Sequence, residues 1–383
     1  MENIKKSVIF FIPIFVWLFY SWFFFEWALN KNTNNYNYFK FLSFSILQGR
    51  FDIDCPSETQ CHDLVEYKGK YYLYWPWVPA IIFLPFVAIV GTNISDILIS
   101  SIFGAFNIFL IIILIRQLSL KFNLEIKDAE VILLSLFWGL GTVHFYMSMV
   151  GSVWFISQIM AQTFLLSSMI LVLVLPDFRG FFLSGLFYSM AVYTKNDLIF
   201  SILFIIAIWI FLKKENKNIN YHMLIIFLLP FLFFSILNFI YNYIRFENIF
   251  ENGIKYHKMD FHFKKNYINH GYLSFYYIPY NFLVEVLLPP PFKTEYPFFD
   301  YNPEGFGFLW NSPLFFLTIP IFVVYFKKIF KKENKNLNIK TKDMILLTGS
   351  FLSLLFISLI IFSIMGTGRV QFASRYSLDY QIF

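Results

Sequence analysis

Apolar residues in this chain come mainly in long unbroken runs, so the first pattern to read is run length rather than periodicity. At 1.5 Å per helical residue, a run of about 20 residues crosses roughly 30 Å of hydrocarbon. Six runs reach that length: residues 7–28, 97–115, 129–147, 153–175, 223–244 and 344–365. Three shorter ones, 180–193, 198–212 and 312–326, read as further spans. Residues 78–91 contain Pro79 and Pro85, and as a helix this segment would reach only about 21 Å.

Between the first run and residue 95 the pattern changes. Phe51 and Ile53 alternate with Asp52 and Asp54, as in a short strand. Residues 64–67 and 70–74 flank Lys68-Gly69, a two-residue loop whose glycine accepts positive φ, which predicts a β-hairpin. Tyr71, Tyr72, Tyr74, Trp75 and Trp77 follow as an expected aromatic anchor at a membrane interface. Residues 38–47 place Phe39, Leu42 and Ile46 at helical spacing, with Gly49 where a C-terminal cap would sit. This segment reads as a helix along the membrane surface or as an ordinary loop helix. Residues 245–311 form a long irregular stretch broken by Pro289-Pro290-Pro291. Within it, residues 272–288 are aromatic enough to lie at an interface.

Composition sharpens the class. With 58% hydrophobic and 14% charged residues and a mean hydropathy of +0.60, the chain holds more apolar side chain than a soluble core of 383 residues could bury. The expected fold class is an all-α polytopic membrane protein, a single membrane domain over residues 1–383. A net charge of +6 would suggest nucleic acid in a soluble chain. Here it must first be divided between two faces of a bilayer, and no nucleic-acid partner is expected.

The division settles the ambiguous segment. If residues 78–91 do not cross, the inside segments hold 16 of the 30 Lys and Arg residues. The opposite count would translocate KKENK at 213–217 and the lysine-rich stretch 327–342, against the bias that keeps such residues inside. The reading is therefore nine spans, an N-terminus in the cytoplasm, and residues 29–95 and 245–311 outside the cytoplasmic membrane. A chain with this count ends outside, and so reads as truncated.

The candidate chemistry sits in those outside segments. Asp52, Asp54, Glu58, Asp63 and Glu66 crowd into the first, where solvated loop charges are the alternative reading. Cys55 and Cys61 are expected to form a disulfide bracing that loop, with two free thiols as the alternative. A zinc site would need more ligands than these and His62, so no metal is expected. His144, in the turn Gly141-Thr142-Val143-His144, either donates to a phosphate or serves structure. Lys195 and Asp197, between two short spans, either face a polar cavity or pair with one another.

Four blocks carry a family resemblance: YKGKYYLYWPWVPAIIFLP (67–85), GLGTVHFYMSMVGSVWF (139–155), YNYIRFENIFENGIKY (241–256) leading to LLPPPF, and TGRVQFASRYSLD (367–379). In this order they resemble the GT-C membrane glycosyltransferases, and in particular the branch distantly similar to protein O-mannosyltransferases and the lipid A aminoarabinose transferase. The resemblance implies transfer of a sugar from a polyprenyl-phosphate donor to a glycan, lipid or protein acceptor at the outer face, without a cofactor. In the family an acid of the first outside loop activates the acceptor hydroxyl, and cations of other loops hold the lipid phosphate. The matching acids are Asp54 and Asp63, with Asp63 ranked first because it directly precedes the hairpin. The matching cations are Lys70, Arg245, Arg369 and Arg375. The chain departs from the pattern where relatives carry Asp-Glu after the first span, since it has Asn34-Asn35 there. It also lacks the acid that metal-dependent relatives place in the second outside turn.

A transporter or flippase of lipid-linked sugars is the competing class, sharing the polytopic form and the intramembrane Lys195 and Asp197. Transporters usually show repeated halves with broken helices at the midplane. This sequence has no such repeat, and its polar residues gather in the outside loops. A membrane scaffold without a small-molecule site fits the composition equally and leaves the carboxylate cluster unexplained.

Overall fold

The computed structural model describes residues 6–23, 36–55, 61–216, 219–259, 261–330, 341–368 and 371–383. The chain opens with α1 (Lys6–Phe23), α2 (Tyr38–Leu47), the strands β1 (Leu64–Tyr67) and β2 (Lys70–Leu73), and α3 (Val78–Val90). It continues through α4 (Asp96–Phe122), α5 (Asp128–Leu140), α6 (Val143–Val150), α7 (Val153–Val174), α8 (Phe178–Val192), α9 (Ile202–Glu215) and α10 (His222–Phe246). The last helices are α11 (Phe261–His270), α12 (Ile278–Phe282), α13 (Phe308–Asn311), α14 (Thr318–Phe330) and α15 (Thr341–Phe362).

Among the described residues five helices are long and apolar enough to cross a membrane: α4, α7, Asn196–Glu215 ending in α9, α10, and Met344–Phe362 within α15. The expected run 129–147 is instead two helices, α5 and α6, bent by 56° at a break, and counting them as one span gives six. Among the described residues the chain is thus mostly helical, with one small sheet and five or six helices of the length and apolar character of membrane spans. The remaining expected spans are shorter as helices. α8 has 15 residues and α14 has 13. α3, which the sequence reading does not count as a span, also has 13 residues and would reach only about 20 Å. The end of the first expected span, residues 24–28, lies outside the described residues.

The chain divides into two compact units, each made of three stretches. Unit 1 comprises Met1–Leu114, Met147–Asn196 and Tyr221–Phe261. Its helices pack through small and polar groups, as expected where lipid offers no hydrophobic drive for association. Gly185 of α8 meets the backbone of α10 so closely that a Cβ there would lie 2.0 Å from the Phe227 carbonyl oxygen. Ser168 of α7 and Ser184 of α8 each donate to the other's carbonyl, at 2.9 and 2.8 Å. Asn107 of α4 donates to Ile159 O of α7 at 2.9 Å. On α10 the row Ile225, Leu229, Leu232, Ile236 and Ile240 stays exposed, one apolar stripe suited to lipid. α2 is indeed a helix. It buries Tyr38, Phe39 and Leu42, and Lys40 reaches Asp96 at the start of α4 at 3.1 Å, both side chains buried.

The hairpin forms as its sequence predicts, with Leu64 paired to Leu73 and Tyr67 to Lys70. Both turn residues have positive φ, Lys68 at 51° and Gly69 at 75°, matching the twist of a two-residue hairpin loop. Single bridges extend it on both edges, Ile53 to Tyr71 and His257 to Val65. Three of the aromatic side chains read as an interfacial anchor pack against protein. Tyr72 is buried against Phe246, Tyr74 packs on His257, and Trp77 stacks on Phe234 with centroids 5.6 Å apart. Neighbouring rings from α10 and the loop after it give these side chains a protein surface to cover.

Unit 2 comprises Ile115–Tyr146, Asp197–Asn220 and His262–Phe383. α9 packs along α15, where Ser353 accepts from Phe204 N–H at 3.0 Å and donates to Phe200 O at 3.2 Å. After α12 the backbone widens into a π-helical turn, Leu283–Leu287. Asn281 ties this region to the end of α15 by donating to Phe362 O and Ile364 O at 2.9 and 2.7 Å.

Candidate active site

In unit 1, Asp63 closes the loop that enters β1 and is only 5% exposed. Its N–H donates to the Tyr38 hydroxyl oxygen at 3.3 Å, and its carboxylate lies 3.8 Å from His257 Nε2. That same imidazole nitrogen stands 3.1 Å from His62 O. Burial pushes the Tyr38 phenol well above its ordinary value, so the hydroxyl keeps its proton. Gly253, at φ +98°, turns the chain beneath Phe246 and leads to His257. The carboxylate thus stands immediately before β1, and the imidazole is brought to it by the bridge from His257 to Val65 on that strand. A buried carboxylate beside an imidazole and a neutral phenol is an arrangement able to accept a proton from a bound hydroxyl.

Asp54 sits in a different environment. Its carboxylate is exposed and accepts from Arg50 Nη1 and Nη2 at 3.1 and 2.9 Å, which holds it below the ordinary carboxylate value. Arg50 also grips Asp52 at 2.9 Å, and Lys70 approaches Asp52 at 3.6 Å. Asp54 and Lys70 therefore belong to one ion-pair cluster on the open face of the hairpin. Cys55 and Cys61 are joined in a disulfide that links this cluster to the segment carrying Asp63.

Arg245, expected to hold a phosphate, is buried and engaged by the protein. Nη1 donates to Leu73 O at 2.6 Å and Nη2 to Asn242 Oδ1 at 2.8 Å, while the guanidinium lies 3.8 Å over the Tyr241 ring. It clasps the end of β2 to α10. His144 is likewise buried in unit 2, its Nδ1 3.1 Å from Gly139 O and its ring 4.4 Å from Trp138, at the break between α5 and α6. Lys195 is buried at the end of its stretch of unit 1, and Asp197 is buried at the start of a stretch of unit 2. Arg369 and Asn34-Asn35 lie outside the described residues.

Arg375 has a distinct setting in unit 2. It is buried, donates to Tyr376 OH at 3.1 Å, and lies within electrostatic reach of Glu285. Glu285 hangs from the π-helical turn and accepts from Ser374 Oγ. Burial pushes its carboxyl up to about 7. Beside this cluster is a cavity of about 680 Å³, whose lining includes Gln371, Tyr301 and Trp310. Among the described residues no group of three or more His, Cys, Asp or Glu side chains forms a metal cage.

Two residues of these clusters escaped the reading of the sequence. His257 directly follows the block YNYIRFENIFENGIKY, and only the bridge to Val65 brings it to Asp63. Glu285 did leave a signal, as one acid inside the apolar run LVEVLL. Compared with known proteins, the chain matches no family model, no curated protein and no solved structure.

Proposed function

We propose that this protein is a membrane glycosyltransferase that moves a sugar from a polyprenyl-phosphate donor to an acceptor hydroxyl, with Asp63 as the general base. The observation that carries the reading is the placement of Asp63, a buried carboxylate between Tyr38 and His257 on a hairpin fixed along both edges. A base needs such rigid support. In the proposed step the acceptor oxygen bonds to the anomeric carbon as the bond from that carbon to the phosphate oxygen breaks. The acceptor proton passes to the Asp63 carboxylate, and the electron pair leaves on the lipid phosphate. Asp54, held by Arg50, is less suited to take that proton. Arg245 is less suited to hold the lipid phosphate, since its fork already serves Leu73 and Asn242.

The proposed topology has nine spans, with the five long helices and the bent pair joined by α1, α8 and α14. The N-terminus and the loop near residue 216 are placed in the cytoplasm, the hairpin outside, and α3 does not cross. The bias of Lys and Arg toward one set of loops supports this orientation.

The test is Asp63→Asn, assayed in membranes with a labelled polyprenyl-phosphate sugar. Loss of a general base should lower turnover by roughly 10² to 10⁴ while donor binding stays near wild type. Wild-type transfer by a folded Asp63→Asn protein would remove the loop from the chemistry. Passage of lipid-linked sugar across proteoliposomes, with no transfer, would make the protein a transporter.

A further inference from the structure

The cavity of unit 2 has two kinds of wall. One is aromatic: Phe292, Phe299, Tyr301, Trp310 and Phe372 line it, each more than half exposed. The other is a row of short polar edges from Asp300, Asn302 and Gln371. Each polar group is held by a hydrogen bond to the backbone. Asp300 Oδ1 accepts from Tyr301 N–H at 2.9 Å, and a carboxylate so engaged keeps capacity to accept a further hydrogen bond. Asn302 Oδ1 accepts from Glu304 N–H at 3.0 Å, which leaves its amide N–H groups to donate. Gln371 Nε2 donates to Glu304 O at 2.7 Å, while its oxygen lies 3.4 Å from Arg375 N. The loop carrying the rings is also pinned. Phe292 bridges to Phe299, and Asp300 N–H donates to Pro291 O at 2.8 Å.

Rings set beside oriented amide and carboxylate groups complement a molecule with apolar C–H faces and hydroxyl edges. Among the described lining residues the one charged group is Asp300, which repels a phosphate and accepts from a hydroxyl. A polyprenyl tail would satisfy the rings and leave the polar edges without partners on binding. At about 680 Å³ the cavity falls within the range of small-molecule sites and has room for more than one sugar ring.

We propose that this cavity is a carbohydrate-binding subsite that takes neutral sugar rings, stacked on Tyr301 and its neighbours and hydrogen-bonded through Asp300 and Asn302. Its service to glycosyl transfer rests on the function proposed above; carbohydrate binding itself does not.

The experiment uses the full chain in lauryldimethylamine oxide, a detergent without a sugar headgroup, with maltopentaose and chitopentaose as probes in saturation-transfer NMR. At least one probe should receive saturation at its ring protons. Tyr301→Ala should weaken that binding roughly three- to tenfold, as the loss of one aromatic contact does. Asp300→Asn should also weaken it, and both exposed-site variants should melt where the wild type melts. Binding of neither probe, or equal binding by both variants, would overturn the proposal. Displacement of the probe by farnesyl phosphate would reassign the cavity to a lipid phosphate. A chain that binds the oligosaccharide but transfers no labelled sugar retains this site and loses the glycosyltransferase reading. One that transfers yet binds neither probe does the reverse.

Discussion

Replacing Arg245 separates a clasp from a phosphate ligand. The guanidinium makes two short charge-assisted hydrogen bonds, to Leu73 O at the end of β2 and to Asn242 Oδ1, and stacks on Tyr241. Lysine keeps the charge but cannot fork to both acceptors. Arg245→Lys should therefore lose one such bond, roughly 1.5 to 3 kcal/mol for a charged donor. Arg245→Met loses both bonds and the cation–π contact, on the order of 4 kcal/mol or more. The hairpin should open more often, and amide hydrogen exchange over residues 64–73 should accelerate roughly ten- to a hundredfold in the lysine variant. Exchange in α7 should hardly change, since the clasp does not touch it. Unchanged hairpin exchange in both variants, with a loss confined to donor binding, would refute the clasp and return Arg245 to the phosphate role that the family resemblance implies.

The Glu285 carboxyl, raised by burial from an ordinary 4.5 to about 7, binds a proton more tightly in the folded than in the unfolded state. Its contribution is therefore complete below about 4.5 and lost as pH rises through about 7, on the order of 3 kcal/mol in full. Melting midpoints should fall from pH 4.5 to 8 by more in the wild type than in Glu285→Gln, and equal profiles would refute this. Cys55 and Cys61 should resist alkylation until reductant is added, and losing their short loop closure should cost about 2 kcal/mol. Labelling of either cysteine in unreduced protein counts against the bridge. In a Cys55/Cys61-free background, a cysteine placed at Asn216 should stay unlabelled by an impermeant maleimide added outside, and strong labelling there would invert the topology.

The membrane class, the long helices and the hairpin were legible in the sequence because each is set locally. Inside lipid every backbone polar group needs an internal partner, so a long apolar run has little choice but to be helical. The Lys68-Gly69 pair likewise fixed the turn of the hairpin without distant help, whereas the alternation around Ile53 yields a single bridge to Tyr71 and not a strand. Tertiary structure decided everything that depended on contact between distant segments. It brought His257 to Asp63 across nearly two hundred residues, by a bridge between single residues that leaves no periodic trace. It turned Arg245 inward, since a cation in a sequence looks the same whether its partner is a carbonyl of the hairpin or a phosphate. It bent the run 129–147 into two helices at Gly141-Thr142. It also set Glu285 against Ser374 and shaped the aromatic cavity of unit 2, because burial and enclosure arise from packing and are absent from any one stretch of chain.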